Sequence, residues 1–258
     1  MNSGGTARRF VLADYAEVIA QLPDDCPIIG GQAVAWWAKR YGISAGNNRD
    51  NIEVASRDLD IWGDREELKE LASRVGRKPY FPREYEMTVW TGGIELTIGA
   101  DRTVVEFLHS VPGLDTTDPA KACVEQEFSV RGVNRIILVL TPVSLVLAKY
   151  HALRHFDQKD RQGELHLKVC LSASREFISE MLEAREIRRA LGNCERLISL
   201  HELKVAKKIE ASYGFDVLEG VPVRKMESAA DDPNQTARAR RQLRGFLNQR
   251  RRRAKSGN

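Results

Sequence analysis

The chain has 258 residues, enough for one sizeable core or for a core followed by a smaller helical domain. Hydrophobic residues make up 42% and charged residues 29%, which excludes the fibrous and the intrinsically disordered classes. The sequence has no run of 18 apolar residues and no apolar segment behind its basic N-terminus, so we expect no membrane span, no signal peptide and a cytoplasmic location.

The net charge of +4 is unevenly distributed. Residues 236–258 carry nine Lys and Arg and no acid, and subtracting these nine from 40 leaves 31 basic against 36 acidic residues elsewhere. Because a block of like charges repels itself, we expect residues 226–258 to form a basic, disordered tail. The tail is either a solubilising end or a contact for nucleic-acid phosphates, and the candidates for that contact are Arg250, Arg251, Arg252 and Arg253.

The N-terminal elements follow from apolar spacing and from glycines. After a flexible N-terminus over residues 1–12, residues 13–22 have helical periodicity. The pair Gly30-Gly31 then precedes a second apolar helix, which ends at Gly42.

The next segment contains a strand with two acids. Residues 44–56 are polar and predict a loop. Residues 58–61 alternate acid and apolar side chains, the pattern of a strand. Asp64 and Glu67 have the spacing of a capping box, which opens a helix that we expect to continue to Val75.

Four β-rich runs follow, at Tyr85–Trp90, Ile94–Ile98, Thr103–Leu108 and Asn134–Leu140. Gly92-Gly93 and Ala100-Asp101 occupy the places where hairpin turns are needed. Beyond Thr141-Pro142 the chain becomes helical, with breaks expected near Asp157, Ser172 and Gly192. The pattern predicts an α+β domain over residues 13–141 and a helical domain over residues 142–225.

Three carboxylates are candidate metal ligands. Asp58 and Asp60 point to the same face of their strand, because side chains alternate along a strand. Glu106 is a lone acid inside the apolar run Val104–Leu108, where an unpaired charge is unfavourable. Oxygen ligands of this kind select Mg²⁺ or Mn²⁺. Glu95 is a rival for the third position, and the more apolar neighbours of Glu106 favour Glu106.

Two glycines at the start of a helix allow a ligand to approach the backbone, and the free N–H groups of the first turn bind phosphates. Gly30 and Gly31 have this position. Neither the G-x-x-x-x-G-K-[ST] loop nor G-x-G-x-x-G is present around them.

In order along the chain, the motifs are Gly30-Gly31-Gln32-Ala33, Ser56-Arg57-Asp58-Leu59-Asp60, Val105-Glu106-Phe107-Leu108 with Gly113-Leu114, Lys149, and Lys159-Asp160. This series resembles the polymerase-β-like nucleotidyltransferase superfamily, in the bacterial branch near the AbiEii-type toxins. The resemblance covers residues 28 to about 170. It departs from the usual pattern in a long interval before Asp58, in Gln32 after the glycines, and in a glutamate as the third acid.

The resemblance implies a nucleotidyltransferase-type mixed β-sheet flanked by helices, followed by a C-terminal helical domain. It implies that Asp58, Asp60 and Glu106 are catalytic and hold Mg²⁺ or Mn²⁺. It also implies a nucleotide-binding set: Gly30, Gly31, Gln32, Lys149, Lys159 and Asp160. Arg154, on the same helix as Lys149, is a further candidate for this set, because its cation could bind phosphate.

The leading hypothesis is a nucleotidyltransferase that transfers a nucleoside monophosphate from ATP or another NTP to an acceptor. The acceptor is RNA such as tRNA, a protein or a small molecule, and the basic tail favours RNA. A toxin role, with an antitoxin as partner, is implied by the resemblance alone, and no feature of the chain itself points to an antitoxin. Two alternatives are a non-catalytic nucleotide- or RNA-binding protein with the same fold, and a metal-dependent phosphohydrolase or nuclease.

Overall fold

A computed structural model describes residues 10–43, 56–83, 86, 88–114, 116, 118–155 and 161–256. The loop expected over residues 44–56 lies almost wholly outside these ranges. The chain divides into two compact units, residues 1–169 and 170–258, so the division falls later than the boundary at residue 141 expected from the sequence.

The first unit contains a mixed β-sheet. Its strands are β1 (Leu59–Trp62), β2 (Pro79–Tyr80), β3 (Trp90–Ile98), β4 (Asp101–Leu108), β5 (Cys123–Val130) and β6 (Val133–Leu140). Four of them lie in the order β1-β4-β3-β2, and β5 and β6 form an antiparallel hairpin. β1 runs parallel to β4, whereas β3 is antiparallel to both of its neighbours.

A short extended segment, residues 27–29, connects the hairpin to the other four strands. Ile28 bridges Ile61 of β1 on one side and Val139 of β6 on the other. The Ile28 N–H donates to the Leu138 carbonyl (2.8 Å), and the Leu140 N–H donates to the Ile28 carbonyl (3.0 Å). Because Ile28 is fully buried, this segment lies in the centre of the first unit.

Helices pack against this sheet, as predicted for an α+β fold with a mixed sheet flanked by helices. They are α1 (Ala16–Gln21, preceded by a 3₁₀ turn at Leu12–Tyr15), α2 (Gly30–Arg40), α3 (Arg65–Arg74), α4 (Pro119–Ala122) and α5 (Pro142–His155). The capping box of α3 is confirmed. The Asp64 carboxylate accepts the N–H groups of Glu66 (2.8 Å) and Glu67 (3.0 Å), and the Glu67 carboxylate accepts the Asp64 N–H (2.6 Å).

The Gly92-Gly93 pair forms no hairpin turn, contrary to the prediction from the sequence. Both residues lie inside β3, and a register shift between Trp90 and Gly92 marks a bulge. The two glycines instead allow β2 to approach. A Cβ at Gly92 would lie 2.5 Å from the Tyr80 carbonyl oxygen, and Gly92 has φ +151°. Besides forming turns, glycine in a strand allows a neighbouring strand to pack closely against it.

Two further helices are longer than the sequence predicts. α6 (Arg161–Glu183) continues through Ser172, and α7 (Ile187–His201) continues through Gly192. Serine within a helix remains satisfied when its hydroxyl bonds the preceding turn, as Ser174 does with the Cys170 carbonyl (2.7 Å). The break expected near Asp157 lies outside the described residues.

The second unit ends in helices, although we expected residues 226–258 to be disordered. After α7 come α8 (Lys204–Tyr213), a 3₁₀ turn (Val217–Gly220), α9 (Val223–Asp231) and α10 (Ala237–Ser256). α10 packs against α9 and α7 and buries Leu243, Phe246 and Leu247. This apolar face, at helical spacing, stabilises the helix despite its charge.

Across the part of the chain that the structure describes, no helix is both long and apolar enough to span a bilayer. Cys26, Cys123, Cys170 and Cys194 are buried free thiols.

Candidate active site

The predicted acids meet on one face of the sheet. Asp60 of β1 is the register partner of Glu106 of β4, Glu106 is the partner of Gly93 of β3, and Gly93 is the partner of Tyr80 of β2. We call these four residues the cross-strand row. Neighbouring strands are about 4.8 Å apart, so the two carboxylates start from adjacent backbones. Asp58 lies immediately before β1, and its charge raises the pKa of both Asp60 and Glu106, so it is close to the pair.

The rival acid, Glu95, lies farther from the pair. It is the register partner of Val104, so it is one strand beyond β4 and displaced along the sheet by two residues from the cross-strand row. Glu95 is exposed, whereas Glu106 is partly buried. The register therefore favours Glu106 as the third acid beside Asp60.

The start of α2 lies directly against the Asp60 carboxylate. Gly30 has φ +61°, and a Cβ at this position would overlap the carboxylate, with the Asp60 Cγ only 2.6 Å away. The Gly31 N–H donates a hydrogen bond to Asp60. A Cβ at Gly31 would lie 2.6 Å from the Ser56 hydroxyl oxygen. The glycine pair thus brings the first turn of α2 next to the acids, where the N–H groups of a helix start are available to a ligand.

The side chain of Gln32 does not face the site, contrary to its place in the predicted nucleotide-binding set. Gln32 is fully buried, and its amide Nε2 donates to the Phe10 carbonyl (2.9 Å). Only its backbone N–H belongs to the first turn of α2 that faces the acids. A buried amide bonded to another segment stabilises the fold rather than a ligand.

α5 places one cation near the acids. Lys149 attracts the Asp60 carboxylate electrostatically, so the two charges are close. A glycine permits this position of α5, since a Cβ at Gly113 would lie 2.8 Å from the Leu147 carbonyl. Arg154 is exposed and about 140° around the helix from Lys149, so the two cations do not share a face. Lys159 and Asp160 lie outside the described residues.

The three carboxylates disfavour each other's ionisation. Burial, followed by the charges of Asp60 and Asp58, raises the pKa of Glu106 from 4.5 to about 7. Burial also raises the pKa of Asp58, against the attraction of the Arg57 guanidinium. The pKa of Asp60 is raised by burial and by Asp58, although Lys149 and the Gly31 N–H lower it. A cation between these groups would stabilise their ionised forms.

This donor set fits a hard divalent cation. Asp58, Asp60 and Glu106 offer only oxygen ligands, which suit Mg²⁺ or Mn²⁺. Their oxygen atoms do not all lie within 4.8 Å of one another. Mutual repulsion opposes a closer approach of three carboxylates, and a bound cation would reverse that repulsion.

The second unit contains a tighter group, and hydrogen bonds account for it. Within the described ranges, the one His, Cys, Asp and Glu group with all ligand atoms within 4.8 Å is His201, Glu210 and Asp216. The His201 Nδ1 is 2.9 Å from Glu210 and 3.6 Å from Asp216. The Val217 N–H donates to Glu210, and the Leu218 N–H donates to Asp216. These bonds connect α7, α8 and the following 3₁₀ turn, so they account for the group as part of the fold.

A hydrogen-bond network that the sequence analysis missed supports Asp58 from behind. The Thr103 hydroxyl donates to the Arg57 carbonyl (2.6 Å) and is 2.6 Å from the buried Tyr15 hydroxyl. With Thr103 donating to the carbonyl, Tyr15 donates to Thr103, and the Tyr15 oxygen is also 3.3 Å from the same carbonyl. The network holds the backbone immediately before Asp58. No sequence motif predicts this network, because Tyr15, Arg57 and Thr103 are far apart in the sequence.

Tyr80 is a second residue that the sequence analysis missed. Its ring lies over Gly93, so that a Cβ at Gly93 would be 2.7 Å from the phenol oxygen. Trp90 packs against the same ring, with 5.4 Å between ring centroids. Burial, followed by the charges of Glu106, Glu95 and Asp58, raises the pKa of Tyr80. The hydroxyl therefore lies near the acids on the side away from α2.

A cavity of about 370 Å³ borders Asp58. Its lining residues are Arg57, Asp58, Glu95, Asp101, Arg102, Thr103 and Val104. The cavity thus offers both guanidinium and carboxylate groups beside one of the predicted metal ligands.

Comparisons with known proteins give only distant likenesses. No protein-family model and no curated protein matches the chain. Among solved structures, it is similar to an antigenic nucleotidyltransferase-like protein from Paracoccidioides brasiliensis, with 12% identity and a TM-score of 0.41 over 63% of this chain and 75% of that one. It is also similar to the Megavirus polyadenylate synthase, with 11% identity and a TM-score of 0.38 over 67% of this chain and 36% of that one. With TM-scores below 0.5, neither likeness carries an argument about function.

Proposed function

We propose that this protein is a metal-dependent nucleotidyltransferase of the polymerase-β-like type. The observation that carries the proposal is the position of Asp60 between two features. On one side is its register partner Glu106, and on the other is the glycine start of α2, where the Asp60 carboxylate occupies the space that a side chain at Gly30 would need. Paired carboxylates next to a helix N-terminus suit a substrate that brings both phosphates and cations.

In this proposal the triphosphate binds on the α2 side. The first-turn N–H groups of α2 donate to its β- and γ-phosphates, and Lys149 adds a positive charge. Asp58, Asp60 and Glu106 would hold Mg²⁺ or Mn²⁺, which would supply activation of the acceptor hydroxyl and neutralisation of the triphosphate charge.

The reaction is a single displacement at the α-phosphorus. The acceptor oxygen forms a bond to this phosphorus, the bond to the bridging oxygen of pyrophosphate breaks, and pyrophosphate leaves with that electron pair. The acceptor loses its proton, and Glu106 is the carboxylate placed to accept it, since it is farther from α2 than Asp60.

The test is transfer of radiolabel. Purified protein is incubated with each α-³²P-labelled NTP, Mg²⁺ or Mn²⁺, and total cellular RNA. We expect label on a macromolecule with the unmodified protein, and a rate at least about 10³-fold lower in Asp58→Asn/Asp60→Asn, which keeps the side-chain shapes but removes both charges.

The matched control is Asp24→Asn/Asp25→Asn, which removes the same two charges from an exposed pair and should retain activity. Label transfer that survives in Asp58→Asn/Asp60→Asn would contradict the proposal. Binding of ATP without any label transfer would instead favour the non-catalytic binding protein.

RNA is the acceptor class that we propose, and α10 is the element that would bind it. One face of α10 lines a cavity of about 540 Å³ with Ala237, Arg240, Arg241, Arg244, Gly245 and Asn248. Arg244 is paired with Asp231 (3.1 Å), whereas Arg241 is exposed. The side chains of Arg250, Arg251, Arg252 and Arg253 lie outside the description, although their backbone continues α10. A role as a toxin restrained by an antitoxin is a separate proposal, which rests on the resemblance to AbiEii-type toxins.

Binding of RNA through α10 is expected to depend on salt. Because each Arg–phosphate contact releases counterions, Arg240→Ala/Arg241→Ala should weaken RNA binding about tenfold at low salt and flatten its salt dependence by about two contacts. Filter binding of total RNA at increasing KCl measures both. Arg188→Ala, which removes an exposed arginine from α7, should leave both unchanged. Equal effects from the two variants would remove α10 as the RNA contact.

A further inference from the structure

The two ends of the cross-strand row are chemically different. Beyond Asp60 lie the first turn of α2 and Lys149, the groups that suit phosphates. Beyond Glu106 lie Gly93 and then Tyr80, which offers a hydroxyl and an aromatic ring. In phosphoryl transfer the attacking and leaving oxygens lie on opposite sides of the phosphorus. If pyrophosphate leaves toward α2, the acceptor must arrive from the opposite end of the row.

Tyr80 can reach this position because its neighbour has no side chain. The ring lies over Gly93, where a Cβ would be 2.9 Å from the ring carbon that bears the hydroxyl. Any other residue at position 93 would displace the ring from the sheet. Trp90 packs against the ring, and 36% of Tyr80 remains exposed. The phenol is therefore both supported and accessible. Its strand is two strands away from that of Glu106, and its hydroxyl lies over Gly93 on the strand between them.

We propose that the acceptor binds at the β2 end of the cross-strand row, where the Tyr80 hydroxyl, lying over Gly93, hydrogen-bonds the acceptor hydroxyl and positions it beside Glu106. This inference rests on the proposed nucleotidyl transfer and adds to it the acceptor site. The ring would also stack on a base or sugar of an RNA terminus, since aromatic faces bind single-stranded RNA in this way.

The neighbouring cavity provides room for the rest of such an acceptor. It borders Asp58 and Glu95 on the same face of the sheet as the cross-strand row, and it includes Arg57 and Arg102. Guanidinium groups bind phosphodiesters. An RNA end, with a ribose hydroxyl next to a phosphodiester, therefore matches the Tyr80 hydroxyl together with the guanidinium groups of this cavity.

Two substitutions test the site from opposite directions. Tyr80→Phe removes the hydroxyl and keeps the ring. Gly93→Ala keeps the hydroxyl and displaces the ring. We expect each to lower kcat/KM for a single-stranded 20-nucleotide RNA about 10- to 100-fold at saturating NTP, with KM for NTP unchanged. The double variant should be no worse than the stronger single variant, because both remove one interaction.

Tyr213→Phe, which removes a phenol hydroxyl from α8, is the matched control and should retain kcat/KM. A Tyr80→Phe variant with full acceptor kcat/KM would overturn the inference. So would single effects that multiply in the double variant, or a loss that appears equally in KM for NTP.

A binding measurement keeps the inference testable without turnover. Trp90 contacts Tyr80, so the RNA oligonucleotide should quench tryptophan fluorescence in the presence of a non-hydrolysable NTP analogue and Mn²⁺. We expect Trp90→Phe to abolish the quenching, and Tyr80→Phe/Gly93→Ala to weaken RNA affinity. If the unmodified protein transfers no label, the proposed function fails. If it transfers label but RNA causes no quenching through Trp90, only the acceptor site fails.

Discussion

Replacing Glu106 by glutamine is expected to abolish nucleotidyl transfer and, at the same time, to stabilise the metal-free protein at pH 8. The loss of activity, at least about 10³-fold, follows from removing one of the three proposed cation ligands, which is also the proposed acceptor-side base. The gain in stability follows from removing a charge that the fold disfavours. Active-site groups commonly lower stability in this way.

The stability effect has a defined pH window. The pKa of Glu106 is raised from 4.5 to about 7, chiefly by burial, so between these values the folded protein keeps a proton that the unfolded chain has lost. The free energy of unfolding therefore falls as pH rises through this window. The shift corresponds to at most about 3 kcal/mol, and partial solvent exposure reduces this to roughly 1–2 kcal/mol.

Thermal unfolding in EDTA measures this prediction. Glu106→Gln should have a Tm roughly 3–6 °C above that of the unmodified protein at pH 8, and nearly the same Tm at pH 5. Glu127→Gln removes an exposed carboxylate from β5 and should change neither. Mn²⁺ should raise the Tm of the unmodified protein at pH 8 and have little effect on Glu106→Gln. A gain at pH 5 equal to that at pH 8 would contradict the electrostatic explanation.

Gly30→Ala is expected to be the most damaging small substitution in the chain. Its backbone has φ +61°, which costs about 1–2 kcal/mol for a residue with a Cβ. The added Cβ would also overlap the Asp60 carboxylate. Either α2 or Asp60 must move, so we expect a loss of at least about 3 kcal/mol in stability and at least about 10²-fold in activity.

Gly42→Ala separates the two causes. Gly42 follows α2 with φ +60°, and a Cβ there would meet nothing within 4 Å. This variant should show the backbone cost alone and retain activity. Adding Asp60→Ala to Gly30→Ala should restore part of the stability and none of the activity, because the overlapping atoms leave with the carboxylate. Equal melting temperatures for Gly30→Ala and Gly42→Ala, with activity retained, would refute the close approach.

The sequence predicted the parts of the site that depend on local patterns. The alternation around Asp58 and Asp60 predicts a strand with two acids on one face, and β1 contains Asp60 but begins one residue after Asp58. The glycines at positions 30 and 31 predict a helix start, and α2 begins at Gly30. The choice of Glu106 over Glu95 was made on apolar neighbours, and the register supports it, because only Glu106 is paired with Asp60.

Features that depend on tertiary packing escaped prediction. The strand that contains Tyr80 has only two residues, which is too short to show a periodic pattern in the sequence. A glycine pair such as Gly92-Gly93 is compatible both with a hairpin turn and with close packing against a neighbouring strand, so the sequence alone does not distinguish the two. The basic C-terminus was judged by its charge. The nine like charges predict disorder, whereas the helical spacing of Leu243, Phe246 and Leu247 predicts an apolar helix face, and the structure buries that face.

The extended segment at residues 27–29 has a consequence for the order of events during synthesis. Ile28 pairs with Ile61 and Val139, so this early segment waits for more than a hundred further residues before its second partner exists. Such non-local pairing delays folding until the late strand is available. Because Gly30 follows directly, the N-terminus of α2 cannot be anchored on both sides before residue 139 has left the ribosome. A nascent chain therefore completes the pairing on both sides of this segment only after β6 has been translated.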